Sequence, residues 1–225
     1  MNFYKKLLHV ILVGLVPTIL FSASVDEYID KAKCDQIIDK KLYQICYSYK
    51  YKGVLSGWVK LDGTLVGKGD IKKRPRFYNE KTIPMKYRTK YKDYTGYGKD
   101  WNKGHLVVAD ADFDYDEKAL NKAYTMANII PQSNVNQKTW IKVERYGRTI
   151  AQKLGYINSI SIAKYDDLSN KIGNDIVIPT KLYRIYYNNE AKFEKCFEYE
   201  NTLDVDYKND KLKNHEIDCQ TLRVK

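Results

Sequence analysis

Apolar and polar residues alternate from Gln44 to Val66, where Ile45, Tyr47 and Tyr49 are followed by Val54, Trp58 and Leu61. A period of two sends successive side chains to opposite faces, so this segment reads as strands with one face buried. Asp62-Gly63, between Val59-Lys60-Leu61 and Thr64-Leu65-Val66, has the chemistry of a tight hairpin turn. The period lengthens over residues 137–154. There Trp140, Val143, Gly147, Ile150, Ala151 and Leu154 form an apolar stripe at helical spacing and Gly155 supplies a stop, which predicts the longest helix of the chain. Short apolar runs at Leu106-Val107-Val108-Ala109, Ile157 to Ile162, Asp175 to Ile178 and Leu182 to Tyr187 predict further strands, with an acidic turn from Asp110 to Glu117. No internal repeat or linker is visible. The sum is an α+β fold, an antiparallel or mixed sheet packed by one main helix.

The first 24 residues follow a different pattern. Lys5 and Lys6 precede an apolar run from Leu7 to Phe21, and Ser22, Ala23 and Ser24 follow it. The run is shorter than the roughly 20 residues a membrane span needs. A basic start, apolar middle and small-residue end predict a secretory signal peptide over residues 1–24, cleaved after Ser24. The expectation is an exported protein, periplasmic or secreted, with residues 25–225 as a single domain and no membrane span after cleavage. All four cysteines, Cys34, Cys46, Cys196 and Cys219, lie beyond that point. An even number in an exported chain predicts disulfides. Short loops close at the lowest entropic cost, which favours Cys34–Cys46 and Cys196–Cys219. The spacings do not match the paired knuckles of a zinc site.

Charge narrows the partner. The chain carries 39 Lys and Arg against 28 Asp and Glu, a formal +11, and removing the signal deletes two lysines and no acid, leaving +9. Residues 72–105 hold a net +8 of this, interleaved with Phe77, Tyr78, Tyr87, Tyr91, Tyr94, Tyr97 and Trp101. A basic stretch of this kind favours a polyanion such as nucleic acid. Tyrosines can stack on unpaired bases, although more than half of these are assigned to half-buried strand positions.

Candidate chemistry is sparse. Three histidines exist. His9 leaves with the signal, His215 sits in a charged tail and reads as a solvated surface residue, and His105 ends the basic segment at the start of an apolar run. Phosphodiester cleavage needs a base, a hard cation and a fixed positive group. One useful histidine excludes a multi-histidine zinc centre, whereas Mg²⁺ asks for oxygen ligands and often takes only one or two from the protein. Asn136, Trp140, Glu144 and Arg148 recur every four residues, so on a helix they form one slowly drifting stripe. The plainer alternative for Glu144 and Arg148 is an exposed i,i+4 ion pair of about 0.3 kcal/mol.

Taken together, Trp101-Asn102-Lys103-Gly104-His105-Leu106, Met126-Ala127-Asn128-Ile129-Ile130-Pro131-Gln132, and Asn136-Gln137 with Trp140, Glu144 and Arg148 resemble the DNA/RNA non-specific endonucleases of the ββα-metal type. The family pattern is D-R-G-H, then N-x-x-P-Q, then N-Q-x-x-W-x-x-x-E-x-x-x-R, and the resemblance covers residues 72–150. It implies a ββα-metal fold with a mainly antiparallel sheet and one long helix carrying part of the site. It implies a Mg²⁺-dependent endonuclease that cuts DNA and RNA to 5′-phosphorylated fragments, with one ion for which Mn²⁺ can substitute and no obligate protein partner. His105 would be the general base, Asn136 the metal ligand, and Glu144 the holder of metal-bound waters. Arg148 would face substrate phosphates, with Asn128 and Lys103 as further substrate contacts. Arg76 best matches the arginine that stabilises the pentacovalent phosphate, with Arg74 as fallback.

The chain departs from the pattern where Asn102 and Lys103 replace Asp and Arg. Lys103 offers a point charge but not a bidentate fork. That departure keeps open a non-catalytic polyanion-binding protein of the envelope on the same fold. A nuclease toxin with an immunity protein is disfavoured by the export signal. The run Asp110, Asp112, Asp114, Asp116 could hold a metal but reads as a solvated turn.

Overall fold

The structure, a computed structural model, describes residues 22–69, 71, 73–204 and 206–224. Seven strands form the main sheet: β1 (Gln36–Asp39), β2 (Tyr43–Ser48), β3 (Gly53–Asp62), β6 (Tyr156–Lys164), β9 (Lys181–Asn188), β10 (Phe193–Glu200) and β11 (Glu216–Ile217), in that spatial order. Every neighbouring pair is antiparallel. Between β3 and β6 the chain leaves the sheet and makes β4 (Trp101–His105), α1 (Asp110–Phe113), α2 (Glu117–Ala123), β5 (Ile129–Ser133) and α3 (Asn134–Leu154). A small hairpin, β7 (Lys171–Ile172) with β8 (Ile176–Val177), sits between β6 and β9. The α+β expectation with a mainly antiparallel sheet holds.

Both faces of the sheet are covered. On one, Ile45, Tyr47, Val54, Val59, Leu61 and Tyr186 pack against Trp140, Val143 and Ala151 of α3. On the other, Ile160, Tyr183, Ile185 and Tyr187 meet Ala23, Tyr28 and Ile29 from the N-terminal segment. The two-sided burial explains why β9 reads as a nearly continuous apolar run. Disulfides Cys34–Cys46 and Cys196–Cys219 form as expected, each tying a strand to a neighbouring peripheral segment.

Several local expectations need correction. Asp62-Gly63 is not the hairpin turn: β2 turns into β3 at residues 49–52, where Lys52 adopts a φ of 49°. Asp62 instead caps a loop by accepting from the Thr64 N–H at 2.7 Å. Gly63 lies against the backbone of α3, where a Cβ would stand 2.0 Å from the Ala151 carbonyl oxygen. Leu106 to Ala109 is buried but is not a strand, because its backbone is bound mostly by the side chains of Asn128, Asp112 and Arg184, with Leu106 N–H donating to the Asn128 carbonyl at 3.0 Å. The acidic turn at 110–117 forms α1 and the start of α2. Of the tyrosines of 72–105, Tyr87, Tyr91 and Tyr94 lie in short 3₁₀ helices, Tyr97 in a turn, and Tyr78 in an isolated bridge to Thr125 rather than in a strand. Strand β10 was missed, since Glu194, Lys195 and Glu198 blur its alternation.

Residues 1–21 of the expected export signal lie outside the described residues. Ala23 is buried, and its N–H and C=O pair with the Asn189 side chain at 2.8 and 2.9 Å. Cleavage after Ser24 would remove this pairing.

Gly147 is where α3 presses closest on the sheet, and a Cβ there would lie 2.4 Å from the Tyr186 ring. Tyr186 cannot swing aside without breaking its buried hydrogen bond to the Val143 carbonyl, 3.0 Å long. Gly147→Ala is therefore expected to destabilise by about 1–3 kcal/mol, whereas an exposed helical Gly→Ala gains about 1 kcal/mol. Urea unfolding decides the sign, and a stabilised variant would mean that Tyr186 does not constrain this helix face.

Candidate active site

Two antiparallel strands and a helix frame the site. β4 pairs with β5 so that Asn102 faces Gln132 and His105 faces Ile129, and α3 begins directly after β5, its first turn capped by Ser133 Oγ accepting from Asn136 N at 2.8 Å. Gly104 has no room for a side chain, because the Gln132 side chain lies where its Cβ would be, 2.2 Å from Oε1. Gln132 Nε2 then donates to Asn136 Oδ1 at 2.7 Å, and Asn136 Nδ2 donates to the Glu200 carbonyl at 2.6 Å. The amide of Asn136 is thus fixed in orientation by the end of β10.

A cleft of about 480 Å³ opens beside this frame, and its walls include Arg74, His105, Asp110, Gln132, Glu144 and Arg148. His105 is 14% exposed. Phe77 and Tyr124 pack on its ring at centroid distances of 5.6 and 5.2 Å. Burial, aided by the Arg74 guanidinium, pulls its pKa down to about 4, so the imidazole is neutral at neutral pH and free to accept a proton. Its Nε2 lies 3.6 Å from Asp110 Oδ1, and Arg74 pairs with the other oxygen of Asp110.

Glu144 is buried on the helix wall, and burial lifts its pKa to about 7 against the opposing influence of Arg184. Arg184 itself is 1% exposed. Its guanidinium donates to the carbonyls of Leu106 and Val107 at 2.8 and 3.1 Å and to Ser159 Oγ at 3.1 Å, and it stands 3.9 Å from Glu144. Sequence reading missed it, although a lone cation within Leu182 to Tyr187 was the available signal. Arg148 pairs with buried Asp112 at 3.0 Å. Glu144 and Arg148 are therefore not the exposed pair of the plainer alternative.

The acidic run is likewise no solvated turn. Asp112 holds Arg148 and accepts from Ala109 N at 2.8 Å, Asp116 caps α2, and Asp110 faces Arg74 and His105. Arg74, the fallback arginine, lines the cleft, whereas Arg76 opens into a separate recess with Lys118 and Lys122. Asn128 cannot contact substrate. It is fully buried, its Oδ1 accepts from Val107 N at 2.9 Å, and its Nδ2 donates to the Val108 and Ala123 carbonyls at 3.0 Å each. Lys103 projects from β4 over the rings of Tyr91 and Tyr94, 4.6 and 5.6 Å from their centroids. Asn102 donates to Gln137 Oε1 at 3.0 Å. His215 is not solvated: it stacks on Tyr199 with centroids 3.7 Å apart and hydrogen-bonds Asp210.

Among the described residues no group of three or more His, Cys, Asp or Glu side chains is arranged to hold a metal ion. Of the two residues assigned to the cation, Glu144 lines the cleft, whereas Asn136 is 1% exposed and its amide oxygen accepts from Gln132; both offer the oxygen donors that a hard cation takes.

Comparisons with known proteins bear on the family and the fold. The family model for DNA/RNA non-specific endonucleases matches residues 24–224. The chain is 22% identical over 180 residues to Nuclease C1 of Cunninghamella echinulata var. echinulata, covering 73% of this chain and 69% of that protein. It is 26% identical over 137 residues to the mitochondrial nuclease of Saccharomyces cerevisiae, covering 54% of this chain and 41% of the relative. Mitochondrial nuclease 1 of Schizosaccharomyces pombe is 26% identical over 123 residues, covering 48% and 37%. The chain therefore spans well under half the length of the two yeast relatives. Among solved structures, EndoG in its complex with EndoGI superposes with a TM-score of 0.72 at 16% identity, covering 83% of this chain and 81% of that one.

The depressed pKa of His105 carries a stability signature. Below about pH 6.5 the unfolded chain protonates this histidine while the folded chain does not until about pH 4. Over that window stability falls with falling pH by up to about 1.4 kcal/mol per unit from this group alone. His105→Gln removes the contribution, so urea unfolding at pH 7.5 and 4.5 should show a smaller pH dependence in the variant. Equal slopes would mean that the imidazole is not held neutral.

Proposed function

The chain belongs to the DNA/RNA non-specific endonuclease family and is by that membership an endonuclease; from this premise we propose that it is an exported, Mg²⁺-dependent enzyme that hydrolyses both DNA and RNA to 5′-phosphorylated fragments. The observation that carries the proposal is the convergence of His105, Arg74, Glu144 and Arg148 on one cleft beside the fixed amide of Asn136.

In this reading neutral His105 takes a proton from the attacking water as the water oxygen bonds to phosphorus. The P–O3′ bond breaks, the leaving O3′ takes a proton from a neighbouring water, and a 3′-hydroxyl and a 5′-phosphate result. Arg74 and Arg148 sit where they can oppose the charge that builds on the phosphate oxygens. Asn136 Oδ1, which here accepts from Gln132 Nε2, and Glu144 would hold Mg²⁺ and its waters, and the ion would supply a Lewis acid for the phosphate. Mn²⁺ is an acceptable substitute. Arg74 takes the transition-state role first assigned to Arg76, because only Arg74 borders the cleft. The neutral Asn102 does not disarm the base, since its side chain bonds the helix rather than His105.

Binding without sequence preference follows from the net +8 of residues 72–105, which neutralises phosphates and reads no bases. Exposed Tyr91 and Tyr97 are available to stack on single-stranded bases. Lys103, poised on Tyr91 and Tyr94, serves as a mobile positive charge along the same approach.

Plasmid and RNA digestion by the purified protein tests the reading. Cleavage with Mg²⁺ should stop with EDTA, and His105→Ala should fall by on the order of 10²–10⁴. Arg74→Ala should lose on the order of 10²-fold and Arg76→Ala much less. Intact plasmid and RNA with Mg²⁺, Mn²⁺ and Ca²⁺ all tried would overturn it. Export is tested by N-terminal sequencing of protein recovered from the periplasm or medium. A start upstream of Ala23 would preserve the Asn189 pairing, a start at Val25 would match the cut after Ser24, and an intact Met1 would refute the signal.

A further inference from the structure

One nitrogen of His105 has nothing to bind. Nε2 is buried, lies 3.6 Å from Asp110 Oδ1, and neither atom has a hydrogen-bond partner. Two buried polar atoms of complementary kind, side by side and both unsatisfied, are uncommon in a folded protein. Closing the gap to hydrogen-bond length takes a shift of about 0.7 Å, and such bonds often tighten only when substrate binds.

Asp110 is well placed to make it. It is the first residue of α1, and that turn is pinned by the hydrogen bond from Ala109 N to Asp112 Oδ2, 2.8 Å long. Its second carboxylate oxygen is engaged by Arg74, which leaves Oδ1 turned to the imidazole. The family pattern places an aspartate where this chain has Asn102, and Asn102 donates its amide to Gln137 instead. A carboxylate beside the base therefore comes from outside the motif.

We propose that Asp110 is the positioning residue of His105: it accepts a hydrogen bond from Nε2–H and so leaves Nδ1 unprotonated toward the cleft. The hydrogen bond at one ring nitrogen decides which tautomer is present. Nδ1 takes the proton of the attacking water, the imidazolium then carries a proton on each nitrogen, and Asp110 remains a carboxylate. Nδ1 afterwards returns its proton to solvent. The proposal rests on the endonuclease reading for its catalytic consequence, but the tautomer is a property of the free protein.

Arg74, Asp110, Lys138, Glu144 and Arg148 are the charged groups that share the cleft with His105, and Tyr124 packs edge-on to it. Because Glu144 titrates in the same range as many activity profiles, the test reads the tautomer directly. Long-range ¹H–¹⁵N NMR of histidine-labelled, metal-free protein at pH 7.5 should show His105 as the Nε2–H form. In Asp110→Ala the ring should become a mixture of tautomers. In Arg74→Ala, which breaks the same ion pair from the other side, it should stay Nε2–H. With Mg²⁺ and a defined oligonucleotide, Asp110→Ala should lose on the order of ten- to a hundredfold in kcat with KM within about twofold, and Asp110→Glu should recover part of it.

A wild type found as Nδ1–H, or an Asp110→Ala protein with wild-type tautomer and kcat, overturns the proposal. A wild type that shows the Nε2–H form yet cleaves no nucleic acid leaves the positioning role standing and sinks the endonuclease reading instead.

Discussion

The buried guanidinium of Arg184 is the interaction on which the site depends. It rises from the interior strand β9, is closed off from solvent, and meets the carbonyls of Leu106 and Val107 directly after His105. The same group faces Glu144 at 3.9 Å and lies over the Trp140 ring at 4.8 Å. One cation therefore fixes the segment after His105 against the sheet and the Glu144-bearing helix against both. Burying such a group is unfavourable unless its donors are satisfied and a counter-charge is near; the Leu106 and Val107 carbonyls and Ser159 satisfy the two terminal nitrogens and Glu144 supplies the counter-charge, while Nε has no partner among the described residues. The backbone at 106–109 can remain irregular in the interior because Arg184 and Asn128 bind its polar groups in place of a ladder.

Around this anchor, burial shifts the two central ionisable groups in opposite directions for the same reason. A low-dielectric wall disfavours charge, so His105 is pulled down to about 4 and Glu144 is pushed up to about 7. The free cleft is thus held nearer to neutrality than its residue types suggest. That arrangement suits the proposed reading, in which charge arrives with a cation and a phosphate and weak dielectric screening strengthens each interaction. The flanking charges are arranged in pairs, Arg148 with Asp112 and Arg74 with Asp110, which keeps both arginines extended toward the cleft before substrate arrives.

The sequence was legible where local rules decide the outcome. The helical stripe from Trp140 to Leu154 needed no tertiary information, because its period and its Gly155 stop are local, and both disulfides followed from loop length. It was less legible where one residue serves a distant one. Asn128 has the position of a substrate contact in the family pattern, yet all its hydrogen-bonding groups are consumed by Val107, Val108 and Ala123. Arg74 and Arg76 are alike in sequence, and only the path of the chain sends one to the cleft and the other toward Lys118. His215 sits among charges in the chain but stacks on Tyr199 of β10.

By itself the sequence determined the fold class, the main helix, the concentration of positive charge before His105 and the residue types of the site, since each depends on composition, period or spacing along the chain. Tertiary structure alone decided which charges are paired, which polar groups are already satisfied, and which nitrogen of His105 faces a carboxylate. Those outcomes depend on burial and on distances between residues far apart in the chain, such as Arg184 and Leu106 or Asn136 and Glu200. Electrostatic and hydrogen-bond energies follow those distances, and no local pattern encodes them.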